Sequence, residues 1–306
     1  HVLLFACGKN LAEVVQRLTE GGFDPDQPVS VLQHHPHVTL VADRGALTRV
    51  NHVERISGYH AGFFILDAAV PPTGRTVLVI SPHPDDAAIS AGGTMALLAP
   101  ANRVVSAIMT TGHRSFIPGT QREERIAIRE REAAQEARVL GVEARFLRLP
   151  FYDAGAEVSE RDLEILAGLL EDVRPDWLFL PHRKDGHPAH QASRVATLEA
   201  LRRASRAVEV WSYEGPWALF GRGDFDTIVP VPREAFEKKA EAIRAHASQV
   251  SRTPFDVAAE ALARLRSALV PEAELAGFGA QPPRLEPWVE LFRREAGRPG
   301  AVPDGE

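Results

Sequence analysis

The chain has 306 residues and 44% hydrophobic content, enough apolar material for about two domains of roughly 150 residues each. A formal net charge of -6 without a basic stripe excludes the electrostatic footprint of a nucleic-acid partner. One cysteine, Cys7, excludes an internal disulfide framework and reads as a small buried hydrophobe in a reducing cytosol, and no apolar run suits a bilayer or a leader, so the expectation is a cytoplasmic protein with no membrane partner.

In chain order, residues 2–6 read as a strand, Gly8-Lys9-Asn10 as a turn and residues 11–18 as a helix. A glycine turn opening a helix can bind an anion, but ordinary loop geometry suffices here. His35 and His37 alternate along an extended segment with no carboxylate or cysteine cluster beside them, so they read as structural rather than as a second metal site. From residue 76 onward short apolar runs alternate with helical patterns. Strands are expected at 77–81, 104–110, 145–149, 177–180 and 208–213, with helices starting at Ala88, Arg122, Glu160 and Pro188. This pattern predicts an α/β fold, a doubly wound, mostly parallel, Rossmann-like sheet with helices on both faces. Residues 225–231 suggest an edge strand. The charges of 233–246, and most of those between Arg122 and Arg138, read as solvated helix faces. Beyond Pro271 proline and glycine rise; residues 287–294 are expected to dock through Trp288 and Phe292, and the last residues to be disordered.

His83-Pro84-Asp85-Asp86 lies between the apolar run 76–80 and the helical pattern 87–99, at the strand end where open α/β sheets place ligands. Proline and aspartate alone would suit a plain helix start. A helix start, however, needs neither His83 nor the second cluster, His187-Pro188-Ala189-His190, that follows the strand at 177–180. Two histidines and a carboxylate make a catalytic zinc set with an open position, leaving one carboxylate as a general base.

Ser81-Pro82-His83-Pro84-Asp85-Asp86 with Gly186-His187-Pro188-Ala189-His190 resembles the PIG-L/LmbE-like zinc-dependent N-deacetylases. The likeness runs from about Arg75 to Gln249. It includes Ile89-Ser90-Ala91-Gly92-Gly93-Thr94, Thr110-Thr111-Gly112, Arg129 and Glu132 ahead of Leu140-Gly141-Val142, Leu149-Pro150-Phe151-Tyr152-Asp153, and His246-Ala247-Ser248-Gln249. The resemblance implies that His83, Asp86 and His190 bind zinc, that Asp85 is the base, and that His187 stabilises the oxyanion and protonates the leaving amine. Two departures stand out. Many family members are acidic where this chain has Ala87, and many have aspartate where it has Ala189, a loss that Asp185 is placed to offset as a further site residue. A missing carboxylate near His187 would lower its pKa.

The segment from Leu3 to about Ala46, notably Ala6-Cys7-Gly8-Lys9-Asn10 and Leu32-Gln33-His34-His35-Pro36, resembles the carboxyl-terminal end of glucosamine-6-phosphate deaminases. Only that end is present, and the lack of an initiator methionine agrees with a piece of a longer fusion. The expected domains are a partial deaminase-like segment at 1–70, a deacetylase-like catalytic domain at 71–270 and a carboxyl-terminal extension at 271–306. The resemblance implies hydrolysis of the acetamide of an N-acetylglucosamine derivative, with N-acetylglucosamine 6-phosphate favoured by the domain order and a glucosaminyl conjugate of thiol biosynthesis as the rival. Arg114 reads either as the holder of an anionic group or as a solvated loop arginine; Tyr152, Trp211 and Trp217 are candidate pocket walls. A metal-binding sugar sensor that has lost catalysis and a scaffold of a larger assembly stay open as alternatives, as does a homo-oligomer.

Overall fold

The computed structural model describes residues 2–20, 28–34, 38–43, 45–50, 64–65, 71–204, 208–221, 224–269 and 288–295. In the amino-terminal segment β1 (Val2–Ala6) pairs in parallel with β2 (Val38–Ala42), with α1 (Ala12–Glu20) between them in sequence. Ala6, Val15 and Ala46 form a small core. The Gly8 turn has a φ of 93°, and its N–H donates to both carboxylate oxygens of Asp43, at 2.9 and 2.8 Å. An internal carboxylate therefore occupies the turn's anion position. Cys7 is exposed, contrary to the buried hydrophobe expected of it. His35 and His37 lie outside the described residues.

The second sheet holds the fold's centre. Its elements are β3 (Phe64–Ile65), β4 (Thr76–Ser81), α2 (Asp86–Leu98), β5 (Arg103–Ile108), α3 (Arg122–Leu140), β6 (Glu143–Phe146), α4 (Glu160–Val173), β7 (Trp177–Pro181) and α5 (Pro188–Ala204), followed by β8 (Glu209–Tyr213), β9 (Thr227–Pro230), α6 (Arg233–Arg244), α7 (Ala247–Val250), α8 (Phe255–Leu269) and β10 (Val289–Arg294). The eight described strands run in the order β3-β9-β10-β8-β7-β4-β5-β6, and only β10 is antiparallel to its neighbours.

Strand β4 shows why the sheet takes helices on both faces. Its side chains alternate across the pleat. Val77 and Val79 pack with Ala88, Met95, Phe236 and Ile243, whereas Leu78 and Ile80 pack with Leu166, Leu170, Ala192 and Ala196. An apolar strand buried on both faces is the mark of a parallel sheet inside an α/β fold. The chain leaves β4 for β5 and β6 on one side and returns to β7 and β8 on the other. The crevice between the carboxyl ends of β4 and β7 is thus the topological switch point, where such sheets bind ligands.

The structure differs from expectation where charged sequence hid buried positions. Strand β9 is not an edge: β3 flanks it on one side and β10 on the other. β10 lies between β8 and β9, so Trp288 and Phe292 belong to the sheet core rather than to a docked tail. Lys239 of α6 is buried, with Nζ 2.5 Å from Glu290 Oε1, and Glu290 also accepts from the N–H groups of Gly93 and Thr94 and from the Thr94 hydroxyl. Gly93 permits this approach; a Cβ there would lie 2.7 Å from Val231 Cγ1. Residues 296–306 fall outside the described set. Among the described residues no helix is long and apolar enough to cross a membrane.

Candidate active site

The turn after β4 is built by its own side chains. Ser81 Oγ donates to the His83 carbonyl at 2.6 Å and accepts from the Ala87 N–H at 3.0 Å, bending the chain from strand into α2. Asp86 enters the first turn of α2 and accepts the His83 N–H at 2.7 Å, which fixes the imidazole beside the carboxylate. After β7, α5 starts at Pro188, placing His187 just before the helix and His190 in its first turn.

These two turns bring three polar atoms together. Asp86 Oδ2 lies 3.0 Å from His83 Nδ1 and 3.1 Å from His190 Nε2, and the two ring nitrogens are 3.2 Å apart. Two zinc ligands at about 2.0–2.1 Å from a tetrahedral ion would stand roughly 3.3 Å apart, so the triangle fits that donor set. Asp86 Oδ1 is buried and has no hydrogen-bond partner among the described residues. Burial opposes the Asp86 charge, yet the facing His190 and His83 hold its carboxyl well below the usual range. His83, His187 and His190 also form a cluster whose ligand atoms lie within 4.8 Å of one another. The tightest triangle takes Asp86 in place of His187.

Asp185 stands behind this group. Its Oδ2 is 2.8 Å from His190 Nδ1 and its Oδ1 accepts the His187 N–H at 2.8 Å. Instead of lining the cavity as a substrate contact, Asp185 is buried against the back of His190. His187 has no side-chain carboxylate partner among the described residues; burial, then the charges of His83 and His190, hold its pKa below the ordinary value.

Asp85, the second acid, takes a different partner from Asp86. Its Oδ1 accepts from Arg129 Nη2 at 2.7 Å in a buried ion pair. Gly112, with φ of 63°, makes room for that arginine: a Cβ there would lie 2.9 Å from Pro84 Cδ and 3.1 Å from Arg129 Nε. The rest of the helix face continues inward. Glu132 accepts the Ser248 N–H at 2.8 Å and its hydroxyl at 2.7 Å, while Glu136 Oε2 lies 2.6 Å from His246 Nε2. Burial raises the Glu136 pKa against the opposing pull of His246. The solvated reading of α3 therefore fails for these three charges. Their signal was in the spacing, because residues three and four apart share a helix face with Ala133, Ala137 and Leu140.

The crevice is an open cavity of about 520 Å³ whose lining includes His83, Asp85, Asp86 and His187. Tyr152, Trp217 and Arg114 line it, whereas Trp211 is buried in the sheet core. The Tyr152 ring stands edge-on to His83 at 5.7 Å, and the Arg114 guanidinium lies 4.9 Å over its face. Ala87 is fully buried and Ala189 lines the wall.

The model for PIG-L, GlcNAc-PI de-N-acetylase, matches residues 78–201, the span that carries both clusters. A Bacillus cereus protein named N-acetyl-alpha-D-glucosaminyl L-malate deacetylase 2 is 29% identical over 188 residues, covering 57% of this chain and 84% of its own. A glucosamine-6-phosphate deaminase-like protein of Bacteroides thetaiotaomicron is 26% identical over 246 residues, with 60% of this chain and 37% of that protein covered. The glucosamine-6-phosphate deaminase of Corynebacterium kroppenstedtii is 50% identical over 54 residues, 18% of this chain and 21% of the deaminase. The chain thus spans well under half the length of these last two relatives. Among solved structures, the 4-carboxy-2-hydroxymuconate hydratase of Pseudomonas putida KT2440 superposes with a TM-score of 0.60 at 19% identity, covering 74% of this chain and 98% of the hydratase. The N,N'-diacetylchitobiose deacetylase of Pyrococcus horikoshii gives 0.56 at 23%, covering 73% and 84%. Identities this low speak for the shared fold alone. With both site clusters inside the matched span, residues 78–201 are a region of the PIG-L/LmbE deacetylase family, preceded by a short amino-terminal segment matching glucosamine-6-phosphate deaminases.

Proposed function

We propose that this protein is a zinc-dependent N-deacetylase of an N-acetylglucosamine derivative. The fold by itself does not choose the reaction, since a hydratase shares it. The reading rests on one arrangement: Asp86 is shared by His83 and His190, while its neighbour Asp85 enters the same cavity unattached to either histidine.

His83, Asp86 and His190 are the residues that would hold the metal, and their nitrogen and oxygen donors suit zinc. Zinc bound there would supply Lewis acidity toward the acetamide carbonyl and lower the pKa of water from about 15.7 to roughly 7. Asp85 is the base that accepts the proton of the attacking water, and Arg129 fixes the carboxylate for that task. His187, whose ring stands 4.8 Å from that of His83, donates to the developing oxyanion and passes a proton to the departing amine. Asp185 orients His190 through Nδ1, leaving Nε2 free to ligate. Tyr152 and Trp217 are walls against which a sugar ring can pack.

N-acetylglucosamine 6-phosphate is the favoured substrate. Support comes from the deaminase-matching segment ahead of the deacetylase region, and from the deaminase-like Bacteroides relative, whose match takes in 60% of this chain, more than the first seventy residues can supply. Such a pairing would put consecutive steps on one chain. An N-acetylglucosaminyl malate, the conjugate in the Bacillus cereus relative's name, is the rival substrate. The catalytic region is proposed to extend from about residue 71 through β10.

A second reading, a homologue impaired in catalysis, draws on His187, whose pKa is lowered and whose ring no carboxylate partners among the described residues. Acetate release from the two sugars, with and without a chelator, separates the readings. Chelator-sensitive release is expected; zinc-bound, sugar-binding protein that releases no acetate would establish the second.

A further inference from the structure

The cavity has a cationic end that the proposed chemistry does not use. Arg114 lines the wall beside Tyr152, while Arg125 stands outside the lining, on α3 four residues before Arg129 and on the face that carries Arg129 to Asp85. The other arginines of this corner are engaged: Arg122 Nη2 is 2.6 Å from Asp153 Oδ2, Arg129 Nη2 is 2.7 Å from Asp85 Oδ1, and Arg252 Nη1 donates to the Phe116 carbonyl at 3.1 Å. Among the described residues neither Arg114 nor Arg125 has a carboxylate partner. Arg125 Nε is buried and makes no hydrogen bond. His113, edge-on to Tyr152 at 5.1 Å, registers the local field: burial lowers its pKa first, and Arg122, Arg114 and Arg125 lower it further against the pull of Asp153.

We infer that Arg114, backed by the charge of Arg125, forms an oxyanion subsite, so that the sugar handled in this cavity carries a phosphate or carboxylate substituent. The inference rests on the proposed deacetylase reading. Tyr152 links the two groups: its ring centroid lies 5.7 Å from that of His83 and 4.9 Å from the Arg114 guanidinium, so a sugar packed against Tyr152 meets the histidine with its acetamide and the arginine with its anionic group. Guanidinium is the side chain whose fork matches the planar oxygens of carboxylate and phosphate. Stacking on Tyr152 holds that fork with little entropy left to lose on binding. Arg125 adds a second positive charge without a second acid to cancel it.

Calorimetry on the full chain carrying Asp85→Asn, which blocks turnover, tests the subsite directly with N-acetylglucosamine 6-phosphate, N-acetylglucosaminyl malate and neutral N-acetylglucosamine. At least one anionic sugar is expected to bind about tenfold more tightly than the neutral one, the weight of a single charge-assisted hydrogen bond. Added to that background, Arg114→Ala should erase most of the preference and Arg125→Gln should reduce it, each weakening the anionic sugar several-fold more than the neutral one. The preferred anionic sugar identifies phosphate or carboxylate as the source. Equal affinity for all three sugars, or arginine variants that weaken neutral and anionic sugars alike, would overturn the subsite. Arginine-dependent binding with no acetate released by the wild type would leave the subsite standing and remove the deacetylase reading. Equal acetate release from neutral and anionic sugars would do the reverse.

Discussion

Adjacent residues Asp85 and Asp86 face opposite partners: Arg129 Nη2 holds Asp85 Oδ1 at 2.7 Å, whereas Asp86 Oδ2 sits 3.0 Å from His83 Nδ1 and 3.1 Å from His190 Nε2. One peptide unit thus separates a carboxylate available as a base from one available as a ligand.

That separation predicts a clean split in Asp85→Asn. The variant keeps the metal donors and the hydrogen-bonding shape but cannot accept a proton. Zinc content by elemental analysis should match the wild type, while acetate release falls on the order of 10²–10⁴-fold. Unchanged turnover would reject Asp85 as the base.

Metal retention should depend on His190 and on the group behind it. His190→Ala removes a proposed ligand and is expected to abolish stoichiometric zinc. Asp185→Asn leaves every proposed ligand in place but weakens the acceptor 2.8 Å from His190 Nδ1, so zinc affinity should fall about 10–100-fold, as is usual for outer-shell partners of metal histidines. Competition with a chromophoric chelator measures both. Full zinc occupancy in His190→Ala would dismiss the ligand set.

Much of this site could be read from sequence because it follows local rules. The two clusters end strands, and the switch point between β4 and β7 joins them. The pairings that act over long separations were not legible: Arg129, named only as a motif residue of the resemblance, lies 44 residues from its partner Asp85, and Glu136, a charge among charges, lies 110 from His246. The position of β10 was hidden for a related reason. Its alternation is short and arginine-rich, and its place between β8 and β9 depends on pairing across distant parts of the chain.

The Lys239–Glu290 pair gives that hidden strand a measurable weight. Both side chains are buried, and Glu290 also receives three donors from α2. Breaking a buried pair on one side costs about 3–5 kcal/mol because the remaining charge has no water. Lys239→Met should therefore destabilise the protein by that amount in urea unfolding, and Lys239→Met combined with Glu290→Gln by less. A chain ending at residue 287 lacks the strand and should lose cooperative unfolding; a folded, active truncation would place the domain boundary before β10.

The pH dependence of stability should report the His190 environment. Burial works against its charge, but Asp86 and Asp185 outweigh that and raise its pKa to about 10. The unfolded value is near 6.5. A raised pKa means that the folded chain holds the proton more tightly than the unfolded one, so the stabilisation is fully present below about pH 6.5, declines above it, and is lost as pH rises through about 10. In chelator-treated protein, the melting temperature of wild type minus that of His190→Gln should shrink steadily across that interval. The subtraction cancels titrations common to both chains, leaving the terms that involve His190, with Asp86, Asp185, His83 and His187 as its titrating neighbours. Zinc binding requires the neutral imidazole and displaces the proton, so zinc-loaded wild type should lose this slope. A melting-temperature difference that stays constant from pH 6.5 to 10 in the chelated pair would show that the two carboxylates do not hold a proton on His190.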